Sequence, residues 1–188
     1  LRWRVAVLDD HARSRAEVGA AVIAAEGEIV GEAERCAEAL TLVRRTRPDV
    51  AIFAVGLPDG DGIEMAAQVA EDCPVVLFTS HTAIDLIDRA RAAGVMAFLL
   101  KPLRPAELAP ALDLAVARFS EARALKQRLA DRKIIERAKG ALMARYALSE
   151  NDAFHRLRRA AMDSRRPMVE VARALLMSES VAGDLPTV

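Results

Sequence analysis

The 188-residue sequence predicts an α/β fold: a doubly wound parallel sheet of (βα)5 type, followed by a long helix and a small all-α three-helix domain. Three observations predict it. Five short apolar runs are continuous rather than alternating, so the strands they form are buried on both faces, as in a parallel sheet covered by helices. The segments between the runs carry apolar residues at spacings of three and four, the period of an amphipathic helix. Beyond Pro105 no further strand-like run follows, and helical spacing continues nearly to the end.

The elements follow in order. The strands are "WRVAVLDD" (3–10), "EIVGEA" (28–33), "DVAIFA" (49–54), "PVVLFT" (74–79) and "VMAFLL" (95–100). The helices are 12–26, 34–46, 61–72, 83–93 and a fifth from 105 onward. Turn signals separate them: "EG" at 26–27, "RP" at 47–48, "PDGDG" at 58–62 and "AG" at 93–94. Pro105 suits an early helical position, and Pro110 removes one backbone hydrogen bond from the first turns. Apolar residues then recur at Leu112, Val116, Phe119, Ala122, Leu125 and Leu129, and after polar Arg132 and Lys133 at Ile135, Ala138 and Leu142. So long a stripe needs a second surface; a homodimer seam is expected, the alternative being a fold back onto the first domain. Ser149, with Glu150 and Asp152 behind it, starts a helix whose apolar face is Ala153, Leu157, Ala160 and Ala161. Pro167 starts another, with Met168, Val171, Ala172 and Leu175 inward.

Composition narrows the class. Hydrophobic residues make up 53% and aromatics 4%, so the core is aliphatic. No apolar run approaches the roughly 18–20 residues of a membrane span, and no signal-peptide-like segment opens the chain, whose Leu1 is read as a trimmed or renumbered start. Cys36 and Cys73 lack metal-ligand spacing and are expected to be inert thiols in a reducing cytoplasm. A net charge of zero conceals a division: residues 1–119 hold 13 Lys/Arg against 18 Asp/Glu, and residues 120–188 hold 14 against 9. The basic half suits a polyanionic partner; on charge alone, a solvated helix face fits equally well.

In an open α/β sheet, ligands bind beyond the carboxyl ends of the strands. Those ends hold Asp9 and Asp10, then Ala54, then Thr79, and Lys101 follows in "FLLKP". Two acids beside a third would hold a hard cation such as magnesium, and a lysine and a hydroxyl would meet a phosphoryl group. The motifs "VLDDH", "PDVAIF…LPDGDG", "VVLFTSH" and "AFLLKP", in this order over residues 3–118, resemble the receiver domain of response regulators. The resemblance implies that Asp9 and Asp10 are the acidic pair, Thr79 the switch hydroxyl, Phe98 the switch aromatic and Lys101 the phosphate-sensing lysine. It also implies a phospho-accepting aspartate at position 54, where this chain has alanine. A methyl group cannot accept phosphate, so a phosphorylation-dead receiver with at most a weak magnesium site is expected. Asp59 and Asp61 are the neighbouring carboxylates that could substitute.

In the basic half, "ERAKGALM", "LSENDAFHRLRRAAM" and "VEVARALL" resemble the ANTAR domain of transcription antiterminators over residues 130–177. That resemblance implies binding to paired RNA stem-loops in a leader transcript. Arg137, Lys139, Arg145, Arg158 and Arg159 are the candidate RNA contacts; Tyr146, the only tyrosine, suits base stacking or helix-end packing. Ala138, Gly140, Leu142, Ala153, Leu157 and Ala161 are expected to pack, and the mid-helix Gly140 points to close approach of another backbone or of RNA. The resulting layout is a receiver-like domain at 1–118, a helical linker and possible coiled coil at 119–131, an ANTAR domain at 132–178, and a disordered tail at 179–188. The expected function is that of a cytoplasmic RNA-binding antiterminator, no enzyme, controlled by a partner protein rather than by aspartyl phosphate. A DNA-binding regulator under a partner protein is the alternative, and a magnesium-dependent phosphotransfer enzyme would lack its nucleophile at Ala54.

Overall fold

Why five apolar runs pair as they do is visible in a computed structural model that describes residues 2–80 and 84–183. The first unit, Leu1–Glu121, contains the sheet. Strands β1 (Arg4–Leu8), β2 (Glu28–Ala33) and β3 (Val50–Ala54) are joined by helices α1 (Ala12–Ala24) and α2 (Cys36–Thr46). The Pro/Gly loop read as a turn forms a minimal antiparallel hairpin, β4 (Gly56–Leu57) and β5 (Gly60–Asp61), which leads into α3 (Gly62–Val69). Strand β6 (Val75–Thr79), helix α4 (Ile84–Ala92) and strand β7 (Ala97–Leu100) complete the sheet, and α5 (Pro105–Tyr146) follows. The expected start of the fourth helix at residue 83 lies outside the described residues. All pairings in the large sheet are parallel, in the order β2-β1-β3-β6-β7.

Side chains alternate across the sheet and build a core on each face. Val5, Val7, Val50, Ile52, Val76 and Phe78 point toward Val18 and Val22 of α1 and toward Leu108, Leu112 and Ala115 of α5. Ala6, Leu8, Ala51, Phe53, Val75 and Leu77 meet Leu42 and Val43 of α2, Ile63 and Val69 of α3, and Ala90 of α4. The continuous runs are thus two interleaved faces. Each fully buried Val, Leu, Ile or Phe contributes about 1.5–3 kcal/mol relative to exposure. Both cysteines are buried and free. Burial, with the nearby Asp49 carboxylate, pushes the Cys73 thiol up to about 12; burial and Asp59 raise that of Cys36.

The second unit begins at Ala122, within α5, which continues through Pro110 and on to Tyr146. Ala147 in the left-handed region then turns the chain into α6 (Glu150–Ser164), capped by the Ser149 hydroxyl, which accepts from the Asp152 N–H at 3.1 Å. Arg165, also left-handed, closes α6 before α7 (Met168–Gly183). Ala138, Leu142, Ala153, Leu157 and Ala172 form this unit's core, with Met168, Val171 and Leu175 packed against it.

Three expectations are corrected. Ala160, assigned to the apolar face, is exposed, whereas Ala161 is buried; one helical step of 100° separates them, and the narrow core takes only one. The tail placed at 179–188 begins too early, because α7 runs to Gly183 with no proline to stop it; residues 184–188 lie outside the described residues. Gly140, grouped with the packing residues, is exposed, and a Cβ built on it would meet nothing within 4 Å, so the close approach expected there is left to RNA or another chain's backbone.

Candidate functional site

Two sites emerge, one in each unit. In the first, the sheet topology gathers residues as far as 92 positions apart in the chain. Asp9 directly follows β1, Ala54 ends β3, Thr79 ends β6, and Lys101 follows β7. Ala54, Phe78, Thr79, Lys101, His11 and Leu86 line a shallow depression of about 360 Å³. Asp9 is buried, and both of its oxygens are engaged: Oδ1 accepts from the His11 backbone N–H at 2.9 Å, and Oδ2 from Lys101 Nζ at 2.6 Å. Asp10 Oδ1 lies 2.7 Å from His11 Nδ1. The lysine therefore supplies the positive charge that a buried acid requires.

Asp9, Asp10 and His11 could bring three ligand atoms within 4.8 Å of one another. They do not fit a strong magnesium site. Magnesium takes carboxylate and water oxygens in a near-ideal octahedron, whereas here one acid is taken by lysine, the other faces an imidazole, and position 54 offers a methyl. His11 escaped the sequence analysis because a histidine beside two acids at a helix N-cap has no distinctive spacing. Phe98, the expected switch aromatic, is partly exposed on edge strand β7 opposite Leu77.

Both neighbouring aspartates are engaged as helix caps. Asp59 caps α2 from outside, accepting from the N–H groups of Cys36 at 2.8 Å and Ala37 at 3.1 Å. The Cys36 bond foremost, with that from Ala37, holds its carboxyl below the usual range. Asp61 caps α3, accepting from the Ile63 N–H at 2.7 Å, and its other oxygen pairs with Arg89. Behind it, a Cβ on Gly62 would stand 1.8 Å from the Ala54 carbonyl oxygen, so this turn admits only glycine. Asp59 as a distant cap could not be read from sequence, since the residues it serves lie 22 and 23 positions away.

In the second unit the expected RNA contacts divide. Arg137, Arg145, Arg158 and Arg159 are exposed and, among the described residues, enter no ion pair. Lys139 differs. It is only 7% exposed, and its Nζ lies 2.7 Å from Glu150 and 2.9 Å from Glu136. The Glu150 bond, followed by that to Glu136, raises the ammonium's pKa, and Lys139 in turn lowers that of Glu150. Lys139 therefore ties α5 to the first turn of α6. The clue was Glu136 three residues upstream, a helical pairing distance.

The comparisons with known proteins fit both units. The family model of the response regulator receiver domain matches residues 5–113, and that of the ANTAR domain matches residues 123–176. The chain is 42% identical over 183 residues to the transcriptional regulatory protein PdtaR of Mycobacterium tuberculosis, covering 92% of this chain and 89% of that one. It is 36% identical over 124 residues to the DNA-binding transcriptional activator DevR/DosR of the same species, covering 64% of this chain and 51% of that one. A two-component response regulator of the LuxR family from Aurantimonas superposes with a TM-score of 0.57 at 28% identity, covering 61% of this chain and 85% of that one. The signal receiver domain of a modulated diguanylate cyclase from Desulfovibrio desulfuricans shares the fold, with a TM-score of 0.59 at 22% identity, covering 64% of this chain and 98% of that one.

Proposed function

We propose that this chain, which belongs to the response-regulator family and joins a receiver domain to an ANTAR domain, acts as a transcription antiterminator that binds tandem RNA stem-loops in leader transcripts. The observation that carries the proposal is the set of exposed arginines on the ANTAR unit that enter no ion pair among the described residues: Arg137, Arg145, Arg158 and Arg159. Guanidinium groups not neutralised by the protein's own acids are available to phosphate oxygens, the main source of nucleic-acid affinity. Loops rather than duplex are the target, because unstacked bases expose edges that an A-form helix hides in its narrow groove.

Control in this proposal is noncovalent. Ala54 offers no oxygen nucleophile, and Lys101 is held by Asp9, so the receiver is governed by a bound regulatory protein rather than by phosphorylation. We assign the chain no enzymatic step and no resident metal. It works as a homodimer through the α5 stripe, where Leu125 and Leu129 are 60% and 54% exposed. Among the described residues no helix is long and apolar enough to cross a membrane, and cytoplasmic action suits a partner made during transcription.

Sequencing the RNA that co-purifies with the full chain tests this. Enrichment of leader segments carrying paired stem-loops that overlap a terminator is the expected result. RNA without shared stem-loops, or preferential recovery of duplex DNA, would overturn the proposal.

A further inference from the structure

Tyr146 ends α5, and Ala147 in the left-handed region fixes the turn that follows it. The ring is not part of the unit's apolar core, and the residue is 44% exposed. The Arg156 guanidinium lies over it, 4.2 Å from the ring centroid, and that of Arg145 stands 5.5 Å away. Among the described residues, neither arginine has an acidic partner. An exposed aromatic at a helix end, beside two cations that pair with no carboxylate among the described residues, departs from ordinary packing. A helix-end tyrosine that served packing would be covered by apolar neighbours; a surface arginine serving solubility need not cover a ring.

We propose that Tyr146, Arg156 and Arg145 form a stacking platform for an unpaired RNA base, with the arginines also meeting the flanking phosphates. The inference rests on the RNA-binding assignment above and adds the place where a loop base is held. The chemistry matches. Bases splayed from a loop stack on aromatic rings or on guanidinium planes, and each stacked base typically contributes a factor of roughly 5 to 150 in affinity. The cation–ring contacts pre-order both groups, so little side-chain freedom is lost on binding. The base sits beside the turn joining two packed helices, a rigid mount rather than a loop.

The test uses the full-length chain and an RNA selected on it from a pool of tandem hairpins with randomised loops. Each loop position is replaced in turn by an abasic site and by 2-aminopurine, and Tyr146→Phe and Tyr146→Leu are compared with the unmodified protein. At one position per hairpin, 2-aminopurine fluorescence should be quenched on binding, and the abasic site should weaken binding roughly 5- to 150-fold. That penalty should persist with Tyr146→Phe and vanish with Tyr146→Leu, whose own affinity for intact RNA should fall to a similar degree. Equal binding by the unmodified and Leu chains would overturn the platform while leaving RNA binding intact. If circular dichroism shows that the Leu chain loses its helices, the unmodified and Phe chains decide: no quenching at any loop position overturns the platform. A pool that yields no bound hairpin overturns RNA recognition itself, and the platform with it.

Discussion

Replacing both Leu125 and Leu129 with aspartate should convert a dimer into a monomer, and the size of the effect follows from their exposure. Complete burial of a leucine contributes about 1.5–3 kcal/mol. With 60% and 54% of their surfaces still exposed, a partner helix can cover that remainder. Scaling gives about 1.7–3.4 kcal/mol per protomer and about 3.4–6.8 kcal/mol for a symmetric pair. At about 1.4 kcal/mol per factor of ten, removing it raises the dissociation constant by roughly two and a half to five powers of ten, before repulsion among the four introduced carboxylates is counted. Sedimentation equilibrium over a wide concentration range measures this directly, with circular dichroism confirming that the helix persists. An unmodified chain that is monomeric at high concentration with and without RNA, or a dimer unchanged by the aspartates, would rule out the α5 seam.

Further outcomes follow from single residues. Incubated with magnesium and acetyl phosphate, the unmodified chain should gain no base-labile phosphate by intact mass, whereas Ala54→Asp should gain one; labelling of the unmodified chain would show another acceptor. Gly140→Ala should stabilise the RNA-free protein by up to about 1 kcal/mol, the helix-propensity difference, because its Cβ meets open space. Lower affinity of the same variant for RNA would then mark close approach of RNA or a partner helix at that position, and a loss of thermal stability would contradict the open space. Lys139→Met should lower the ANTAR unit's melting temperature, and its RNA affinity should fall only as far as folding does. Because Glu150's folded pKa lies below its ordinary value, this contact stabilises above the usual carboxylate range and is lost as pH falls through the lowered value. Because the pKa of Lys139 is raised, the contact persists through neutral pH and is lost only as pH rises through that raised value. A melting temperature in the Met variant as acid-sensitive as in the unmodified chain would contradict this coupling.

What could be read from the sequence was whatever repeats locally. The strands announced themselves because burial on both faces leaves uninterrupted runs such as "VAIFA", and their carboxyl ends then placed Asp9, Ala54, Thr79 and Lys101 together. Contacts between distant residues left no such trace. Asp59 looked like a loop acid until it proved to cap α2. Lys139 looked like one more surface cation in a basic stretch, yet the packing of α6 against α5 buries its stem and sets two glutamates on its ammonium. Charge counting cannot separate a paired lysine from an unpaired arginine, so only the folded arrangement of α5 and α6 divides the RNA candidates. Gly140 was grouped with the packing residues, yet the structure leaves open space where its side chain would stand.

The most direct measurement compares the chain's affinity for selected tandem hairpins, for the same hairpins with scrambled loops, and for duplex DNA of equal charge, all at physiological salt. If about five phosphates are neutralised per protomer, log K should fall with log salt at a slope of roughly −3.5 to −4.5. Tandem hairpins should bind best, since the second hairpin engages at the high effective concentration set by the first, and scrambling the loops should cost more than stem changes that preserve pairing. Equal affinity for all three nucleic acids would contradict loop recognition and reduce the ANTAR unit to a basic surface without sequence preference.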